Sequence, residues 1–273
     1  MRALTMWWWL RIRVANMSNE HILENIENGI LTVTFNRPEK YNALTQQMVK
    51  KFSELVMRFR DDEKVRVMLI NARGKYYSAG VHISNNMTPD INSGIAFRDW
   101  NRRDVHLLLD EIEAIEKPII SAAQGPCLGG ALEMALSCDF RLASESAAYS
   151  LPEINIGILP GNGGISRLVR LCGIAQTKWL VMGTQTISAQ HALQAGLVHA
   201  VYEDDIFVEA CHEFASHLVS LPTEVIGLAK LAIDSVYELD RATARNIERI
   251  INTQLFSSQE HKELVQKFID RKK

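Results

Sequence analysis

Cysteine is scarce in this chain, and its spacing excludes the common thiolate sites. The 273 residues include four cysteines at widely separated positions and no CxxC pair. This pattern predicts free thiols in a reducing compartment rather than disulfides or a zinc cluster. The eight histidines show no metal-ligand spacing either. We therefore expect no metal site and no disulfide framework.

Excess charge and long apolar runs are also missing. The formal net charge is -2, so the total charge favours neither nucleic acid nor a membrane surface as a partner. The apolar run at residues 3–10 is too short to span a bilayer, and no small-residue cleavage site follows it. The C-terminal DRKK is not a peroxisomal signal.

The N-terminal segment is best explained as a leader outside the folded protein. A second methionine, Met17, begins a more ordinary start, and we expect residues 1–16 to be disordered or non-native. We expect a cytoplasmic location. Arginines without an acidic residue before Glu20 keep a mitochondrial presequence, and hence the mitochondrial matrix, as the alternative.

Three common sequence motifs are absent. The chain has no GxSxG nucleophile elbow and no GxxxxGK[ST] phosphate loop. The GNGG at residues 161–164 does not fit the GxGxxG dinucleotide fingerprint, and it follows a proline-broken segment rather than a clean strand. These absences argue against a serine hydrolase of that type, a P-loop enzyme and a dinucleotide-binding domain.

Alternating strands and helices predict an α/β fold. Leu31, Val33 and Phe35 alternate with polar residues as in a strand, and residues 44–60 have helical periodicity. Buried strands are predicted at 65–74 and 118–125, a short strand at 76–78, and helices at 97–116 and from Gly129. The units are about 45 to 55 residues long, which suggests a strand–strand–helix repeat.

The chain after Gly164 becomes mainly helical. Helices are predicted at 205–220, 222–238 and 241–269, and no low-complexity linker precedes them. We therefore divide the chain into the leader, a core at 17–205 and a C-terminal helical region at 206–273. The helical region is expected to pack on the core, on a partner subunit, or on both.

Two glutamates in apolar surroundings are the candidate catalytic groups. Glu133 lies within LGGALEMALSCD, and Glu153 lies between Pro152 and INIGI. Burial would raise the pKa of either carboxyl toward neutrality, and a carboxylate pair can remove and deliver a proton at one centre. The alternatives are a solvent-facing position for Glu133 and a helix N-terminal position for Glu153.

The glycines at the start of the predicted helix suggest an oxyanion site. Gly129 and Gly130 remove side chains where backbone N–H groups are unpaired, so that a developing negative charge could be held there. A second N–H could come from the turn after Ser78-Ala79-Gly80. Two such groups would polarise a thioester carbonyl. The alternative for the glycines is close packing of the helix on a strand.

Several motifs, in order, resemble the crotonase superfamily, also called the enoyl-CoA hydratase/isomerase family. They are NRPEKYNAL at 36–44, SAGVHI at 78–83, PIISAAQGPCLGGALEMALSCDFRLA at 118–143, LPEINIGILPGNGGISRL at 151–168 and TISAQHALQAGLVHAV at 186–201. The resemblance covers nearly all of residues 20–270. It implies a spiral of ββα units with a C-terminal helical trimerisation region, assembled as a homotrimer or a dimer of trimers.

The resemblance also implies an acyl-CoA substrate and assigns site residues by position. No metal or cofactor is expected, since coenzyme A is part of the substrate. Val81 and Gly130 match the oxyanion-hole pair, and Ala79 matches the position whose backbone meets the adenine. Lys40 and Tyr41 lie where the family borders coenzyme A.

Glu133 and Glu153 match the two catalytic carboxylates of hydratases in this family. Keeping both favours hydration of a 2-trans-enoyl-CoA to a 3-hydroxyacyl-CoA, with Glu133 activating water for C3 and Glu153 supplying the proton to C2. The alternatives are a Δ3-Δ2-enoyl-CoA isomerase, which can use the position of Glu153 alone, and lyase, hydrolase or decarboxylase variants. A role without catalysis, in RNA binding or as a scaffold, is disfavoured by the glutamate pair.

The chain departs from the family next to the oxyanion position. His82 stands where aspartate is usual, and Val81 is bulkier than the usual alanine. Neither change removes a backbone N–H, so we expect the hole to be retained and the pocket near the thioester to change shape. We expect residues 84–100 to shape the acyl pocket, with Met87, Phe97 and Trp100 as wall residues.

Overall fold

The computed structural model describes residues 20–83 and 93–271. The strands in these ranges lie in two sheets. They are β1 (Ile22–Glu27), β2 (Ile30–Phe35), β3 (Val67–Ala72), β4 (Ile119–Ala123), β5 (Cys127–Leu128), β6 (Phe140–Ser144), β7 (Ala148–Ser150), β8 (Ile187–Ser188) and β9 (Ala200–Tyr202).

The larger sheet has the strand order β1-β2-β3-β4-β6-β9 and is parallel apart from the first pair. The smaller sheet has the order β5-β7-β8. Asn28 and Gly29 connect β1 to β2 with positive φ angles of 51° and 79°, as a tight two-residue hairpin turn requires. The parallel pairs need crossover connections, which the helices supply.

The helices begin with α1 (Gln46–Asp61), capped by the Thr45 side chain, which accepts from Met48 N–H. A π-helical segment, Asn101–His106, separates the second and third helices. The remaining helices are α2 (Gly94–Trp100), α3 (Leu107–Ala114), α4 (Gly130–Ser137), α5 (Gly164–Val181), α6 (Ala189–Gln194), α7 (Phe207–Ser220), α8 (Thr223–Val236), α9 (Arg241–Phe256) and α10 (Gln259–Asp270).

Both faces of the large sheet are buried. One face contributes Val33, Phe35 and Ile70 to a core shared with α1, α3 and α4. The other face contributes Val67 and Leu69, among others, to a second cluster with α7. This two-sided burial explains why β3 reads as a nearly continuous apolar run in the sequence. The predicted α/β class and its crossover pattern are confirmed.

Some predicted boundaries are wrong. Residues 76–78 do not form a strand, because only Ser78 makes a bridge, to Cys127. The helix predicted at 241–269 is two helices, because Ser257 ends α9 and the Ser258 side chain caps α10 by accepting from His261 N–H. Gly173 interrupts α5 with φ 76° and ψ 169°.

In the single chain, almost none of the residues of the last three helices are buried. α9 and α10 bury no residue, and Gly227 is the one buried residue of α8. By contrast, α7 packs on the large sheet. Helix α8 still contacts the core through Lys230, whose Nζ donates to Ile112 O at 3.0 Å and to Asp139 Oδ2 at 3.1 Å. The division at residue 205 stays a prediction. In the described residues, no helix has the length and apolar character needed to cross a membrane. The apolar side chains exposed on the last three helices include Ile233, Tyr237, Ile250, Phe256 and Phe268.

Candidate active site

The glycine pair at the start of α4 allows two other segments to approach the helix. Gly129 is the N-cap and has φ 54° and ψ -133°, a conformation that L-residues rarely adopt. A Cβ on Gly129 would lie 2.9 Å from Glu153 Oε1, and one on Gly130 would lie 2.8 Å from Val81 Cγ2. The close-packing and oxyanion interpretations of these glycines are therefore compatible.

Val81 and Gly130 present backbone N–H groups side by side. A Cβ on Gly130 would lie 3.8 Å from Val81 N, and one on Gly80 would lie 3.3 Å from Gly130 N. Leu44 fixes the chain around Val81, since its N–H donates to Gly80 O at 2.8 Å and its carbonyl accepts from His82 N–H at 2.9 Å. Neither Val81 N–H nor Gly130 N–H donates to a backbone acceptor within residues 20–83 and 93–271. Such a pair can bind one oxyanion.

Glu133 is buried, with 1% of its surface exposed, so the solvent-facing alternative is excluded. Its Oε1 accepts from Asn162 N–H at 2.8 Å and from Gly164 N–H at 3.2 Å, and its Oε2 accepts from Asn162 Nδ2 at 2.7 Å. Burial raises the pKa of Glu133, and these hydrogen bonds oppose the rise because they stabilise the ionised form.

Glu153 has a different environment on the other side of the glycine pair. It begins a short 3₁₀ helix, Glu153–Ile156, and its Oε2 is buried without a hydrogen-bond partner among the described residues. Burial, together with the negative charge of Glu133, raises the pKa of Glu153 to about 7. The pair therefore contains one carboxyl group with three N–H donors and one that protonates readily near neutrality.

The residues assigned to coenzyme A lie on adjoining segments. Tyr41, at the end of the 3₁₀ turn Pro38–Lys40, has φ 53° and accepts from Ala79 N–H through its carbonyl at 2.9 Å. The Tyr41 ring is exposed and lies 4.8 Å from that of Tyr76. Lys40 is exposed beside it. Ala79 is two residues before Val81, so this surface adjoins the neighbouring N–H groups of Val81 and Gly130.

A buried asparagine that the sequence analysis did not select supports this region. Asn42 accepts from Arg37 N–H at 2.8 Å and donates from Nδ2 to the carbonyls of Arg73 and Tyr76, both at 2.8 Å. Ser78 Oγ donates to Asn42 O and accepts from Gly80 N–H. The network fixes the turn that precedes Val81. Its one signal in the sequence is the pair Tyr41-Asn42 before a helix, which is common in ordinary turns.

The acyl-pocket predictions are tested only in part. Met87 lies outside the described residues. Phe97 and Trp100 pack on each other, with ring centroids 5.9 Å apart, and Asn101 Nδ2 donates to Gly161 O at 3.4 Å. This places the end of α2 beside the loop that binds Glu133. The assignment of Phe97 and Trp100 as pocket walls stays a prediction.

Comparison with known proteins gives consistent matches over almost the whole chain. The family model described as enoyl-CoA hydratase/isomerase matches residues 25–273. A short-chain-enoyl-CoA hydratase from Clostridium acetobutylicum is 34% identical over 93% of this chain and 96% of its own length. A crotonyl-CoA hydratase from Syntrophomonas wolfei is 31% identical over 94% and 98%.

A solved structure has the same fold. The crystal structure of an enoyl-CoA hydratase from Bacillus anthracis superposes with a TM-score of 0.85 at 27% identity, covering 92% of this chain and 97% of the other. The spiral of ββα units predicted from the motifs is thus found in the comparison as well as in the strand order.

Proposed function

This chain belongs to the enoyl-CoA hydratase/isomerase family, and we propose that it is an enoyl-CoA hydratase that converts a 2-trans-enoyl-CoA to a 3-hydroxyacyl-CoA. The proposal rests mainly on the two carboxyl groups that lie at the start of α4. Glu133 is held by three N–H donors, and the pKa of Glu153 is raised to about 7. One group is suited to accept a proton and the other to donate one.

The reaction uses both groups and the two backbone N–H groups. The thioester oxygen accepts hydrogen bonds from Val81 and Gly130. Glu133 takes a proton from water as the water oxygen bonds to C3, and the C2–C3 π electrons move toward the thioester to give an enolate-like anion. Glu153 then protonates C2. The N–H pair stabilises the intermediate charge, which is the type of contribution worth about 10²- to 10³-fold in rate per donor.

Isomerisation of a 3-enoyl-CoA is the second candidate, since Glu153 alone could move a proton between C2 and C4. The hydrogen bonds to Glu133 favour hydration, because a buried carboxyl group with three donors has no evident task in a reaction that uses one carboxyl group. Hydrolase, decarboxylase and other lyase reactions would leave the same group without a defined role.

The test measures loss of the enoyl-thioester absorbance with crotonyl-CoA and identifies the product. Glu133→Gln and Glu153→Gln should each lower kcat by about 10²- to 10⁴-fold, as expected for loss of a general base or acid. Glu145→Gln, an exposed glutamate, serves as the control. Parent-level hydration by Glu133→Gln would contradict the mechanism, and isomerase activity that survives in this variant without any hydration in the parent would establish the second candidate.

The substrate is proposed to have a short acyl chain. The relatives with at least 30% identity include proteins named for short-chain and crotonyl substrates. Lys40, Tyr41 and Ala79 form the surface proposed to bind coenzyme A. A panel of enoyl-CoAs of increasing length should give a kcat/KM that is highest for four carbons; a maximum at long or aromatic chains would contradict this assignment.

We further propose that the protein assembles as a homotrimer or a dimer of trimers through its C-terminal helices. Support comes from the exposed apolar side chains of α8 to α10, such as Ile233, Ile250 and Phe256, since monomers rarely expose large apolar patches. Light scattering after size-exclusion chromatography should give three or six times the chain mass. A monomer would contradict the proposal.

No metal or cofactor is needed in this reaction, and neither nucleic acid nor a membrane is a proposed partner. Activity should therefore survive dialysis against a chelator, and a filter-binding test at physiological salt should show no tight RNA binding. The cytoplasm is the proposed location and the mitochondrial matrix is the alternative. Both are reducing, which suits the free thiols of Cys127, Cys138, Cys172 and Cys211.

A further inference from the structure

Asn162 binds the Glu133 carboxylate with its side chain as well as its backbone. Its N–H donates to Oε1 at 2.8 Å and its Nδ2 to Oε2 at 2.7 Å. Gly164 N–H adds a second donor to Oε1 at 3.2 Å. A carboxylate offers about four lone-pair positions, two on each oxygen. Both lone-pair positions of Oε1 are therefore occupied, and one lone-pair position remains on Oε2.

The remaining position lies on the oxygen nearer to the oxyanion pair. A Cβ on Gly130 would be 3.9 Å from Glu133 Oε2, whereas one on Gly164 would be 2.8 Å from Oε1. Oε1 therefore faces the start of α5, and Oε2 faces the start of α4. A water that donates to Oε2 is on the side where the thioester would be bound.

The loop that carries Asn162 is anchored on both sides. Arg167 Nη1 donates to Asn162 O at 3.0 Å, and Arg167 Nε donates to Glu113 at 2.7 Å. His106 Nε2 lies 2.6 Å from Gly161 O. The orientation of the Asn162 amide follows from its partner, because the opposite orientation would place its oxygen against the Glu133 carboxylate.

On the basis of the proposed hydratase function, we propose that the Asn162 side-chain amide is a positioning residue for the reaction. By occupying one lone pair of Oε2, it leaves a single acceptor position on Glu133 and directs the attacking water to it. The O–H bond of that water breaks, its proton moves to Oε2, and its oxygen bonds to C3. The amide also stabilises the ionised form of Glu133, so the base is ready before substrate binds.

The test uses Asn162→Ala, which removes Nδ2 and retains the backbone N–H. We expect kcat to fall about 10- to 100-fold, the range that corresponds to a hydrogen bond to a charged group, with KM for crotonyl-CoA nearly unchanged. The acidic limb of the pH–rate profile should move to higher pH, because the ionised carboxylate has lost a donor. Ser166→Ala, in which an exposed hydroxyl in the first turn of α5 loses its bond to Gly163 O, is the control beside the loop.

A second variant separates positioning from packing. Asn162→Asp keeps the shape of the side chain but replaces the donor with a carboxylate, so its activity should fall most where that carboxylate is ionised. Parent-like kcat and an unmoved acidic limb in both variants would overturn the inference. A loss of kcat with no change in the pH profile would also overturn it, since that result indicates a structural role alone.

A third measurement does not depend on turnover. Titration of the Glu133 carboxyl by carbon-13 NMR in the resting protein should give a higher pKa in Asn162→Ala than in the parent. An equal pKa in the two proteins would overturn the inference even if hydration is observed. A parent that hydrates no enoyl-CoA would instead remove the proposed function, and the NMR comparison would still report whether the amide stabilises the carboxylate.

Discussion

A Cβ atom placed on Gly130 would lie 2.8 Å from Val81 Cγ2. A side chain on Gly130 would therefore collide with Val81, the other residue proposed to supply an oxyanion N–H group. Valine cannot relieve the contact easily, because its branched side chain has one stiff torsion. Either the Val81 side chain or the backbone of one of the two residues would have to shift.

Gly130→Ala is accordingly expected to separate the two N–H groups and to lower kcat/KM for crotonyl-CoA by about 10²- to 10³-fold, the effect of losing one oxyanion donor. Steady-state assays check this. The exposed Glu145→Gln variant again serves as the control, since Glu145 has no role in the proposed reaction. A Gly130→Ala enzyme with parent kcat/KM would show that this N–H pair is not the oxyanion hole.

The pH dependence of the reaction should be bell-shaped and the same in both directions. In the proposed mechanism, hydration requires ionised Glu133 and protonated Glu153, and dehydration requires protonated Glu133 and ionised Glu153. Both forms carry one proton in total, so kcat/KM for each direction follows the same two ionisations. The basic limb should lie near 7, because burial and the charge of Glu133 raise the pKa of Glu153 to about 7.

The check is kcat/KM for crotonyl-CoA and for 3-hydroxybutyryl-CoA at a series of pH values. Activity should fall as the pH rises through the basic limb, since the single proton of the pair is then lost. At low pH activity should fall again as Glu133 becomes protonated. A rate that is constant through neutrality would contradict the assignment of Glu153 as the proton donor.

The individual elements of this site were predictable to different degrees. The Gly-Gly start of α4 and the unusual position of Glu133 in an apolar helix are local features, so the sequence indicates both. The Asn162 amide meets Glu133 across 29 positions, and Asn42 meets Tyr76 across 34. Such contacts depend on the crossover topology, and asparagine in a glycine-rich loop has a sufficient local explanation as a turn residue.

The wrong helix boundary in the C-terminal region has a different cause. Ser258 caps α10 by accepting from His261 N–H, and a serine before a helical segment is a local signal that was available in the sequence. The long amphipathic pattern on either side of Ser257 and Ser258 concealed it. By contrast, the π-helical segment at Asn101–His106 has no reliable local signal, since it depends on packing against neighbouring residues.

Arg167→Lys is expected to weaken catalysis without removing the positive charge. The Arg167 guanidinium binds Glu113 through two nitrogens and donates to Asn162 O from a third, and a lysine ammonium cannot reproduce that geometry. Loss of the hydrogen bond to the loop should lower stability by about 1 to 3 kcal/mol and reduce kcat.

Urea denaturation and steady-state kinetics on the same samples check this expectation. Arg170→Lys is the control, because Arg170 is on the same helix and pairs with Glu238 at an exposed position, where ion pairs contribute about 0 to 1 kcal/mol. Equal stabilities and rates in the two variants would mean that Arg167 does not support the loop that holds Glu133.

Asn42→Ala is expected to destabilise the protein by more than the free energy that an alanine costs at a positive φ angle. Asn42 has a φ angle of 53° and is fully buried, and its side chain satisfies Arg37 N–H and the carbonyls of Arg73 and Tyr76. Alanine would leave Arg37 N–H and Arg73 O without that partner, at about 1 to 3 kcal/mol for each group left unsatisfied, whereas Tyr76 O would keep its bond from Gln124 Nε2 at 3.0 Å. The turn before Val81 would also loosen, so kcat/KM should fall.

Asn28→Ala separates backbone strain from the loss of the buried amide. Asn28 has a similar φ angle of 51° but is exposed in the β1–β2 turn. It should show only the strain of a left-handed alanine, about 1 to 2 kcal/mol, and parent kcat/KM. Thermal and urea unfolding of both variants, with the crotonyl-CoA assay, measure the difference. If Asn42→Ala were no less stable and no less active than Asn28→Ala, the buried amide would contribute nothing to holding the Val81 N–H in place, and the support for the oxyanion pair would have to come from the bonds between Leu44 and its neighbours Gly80 and His82.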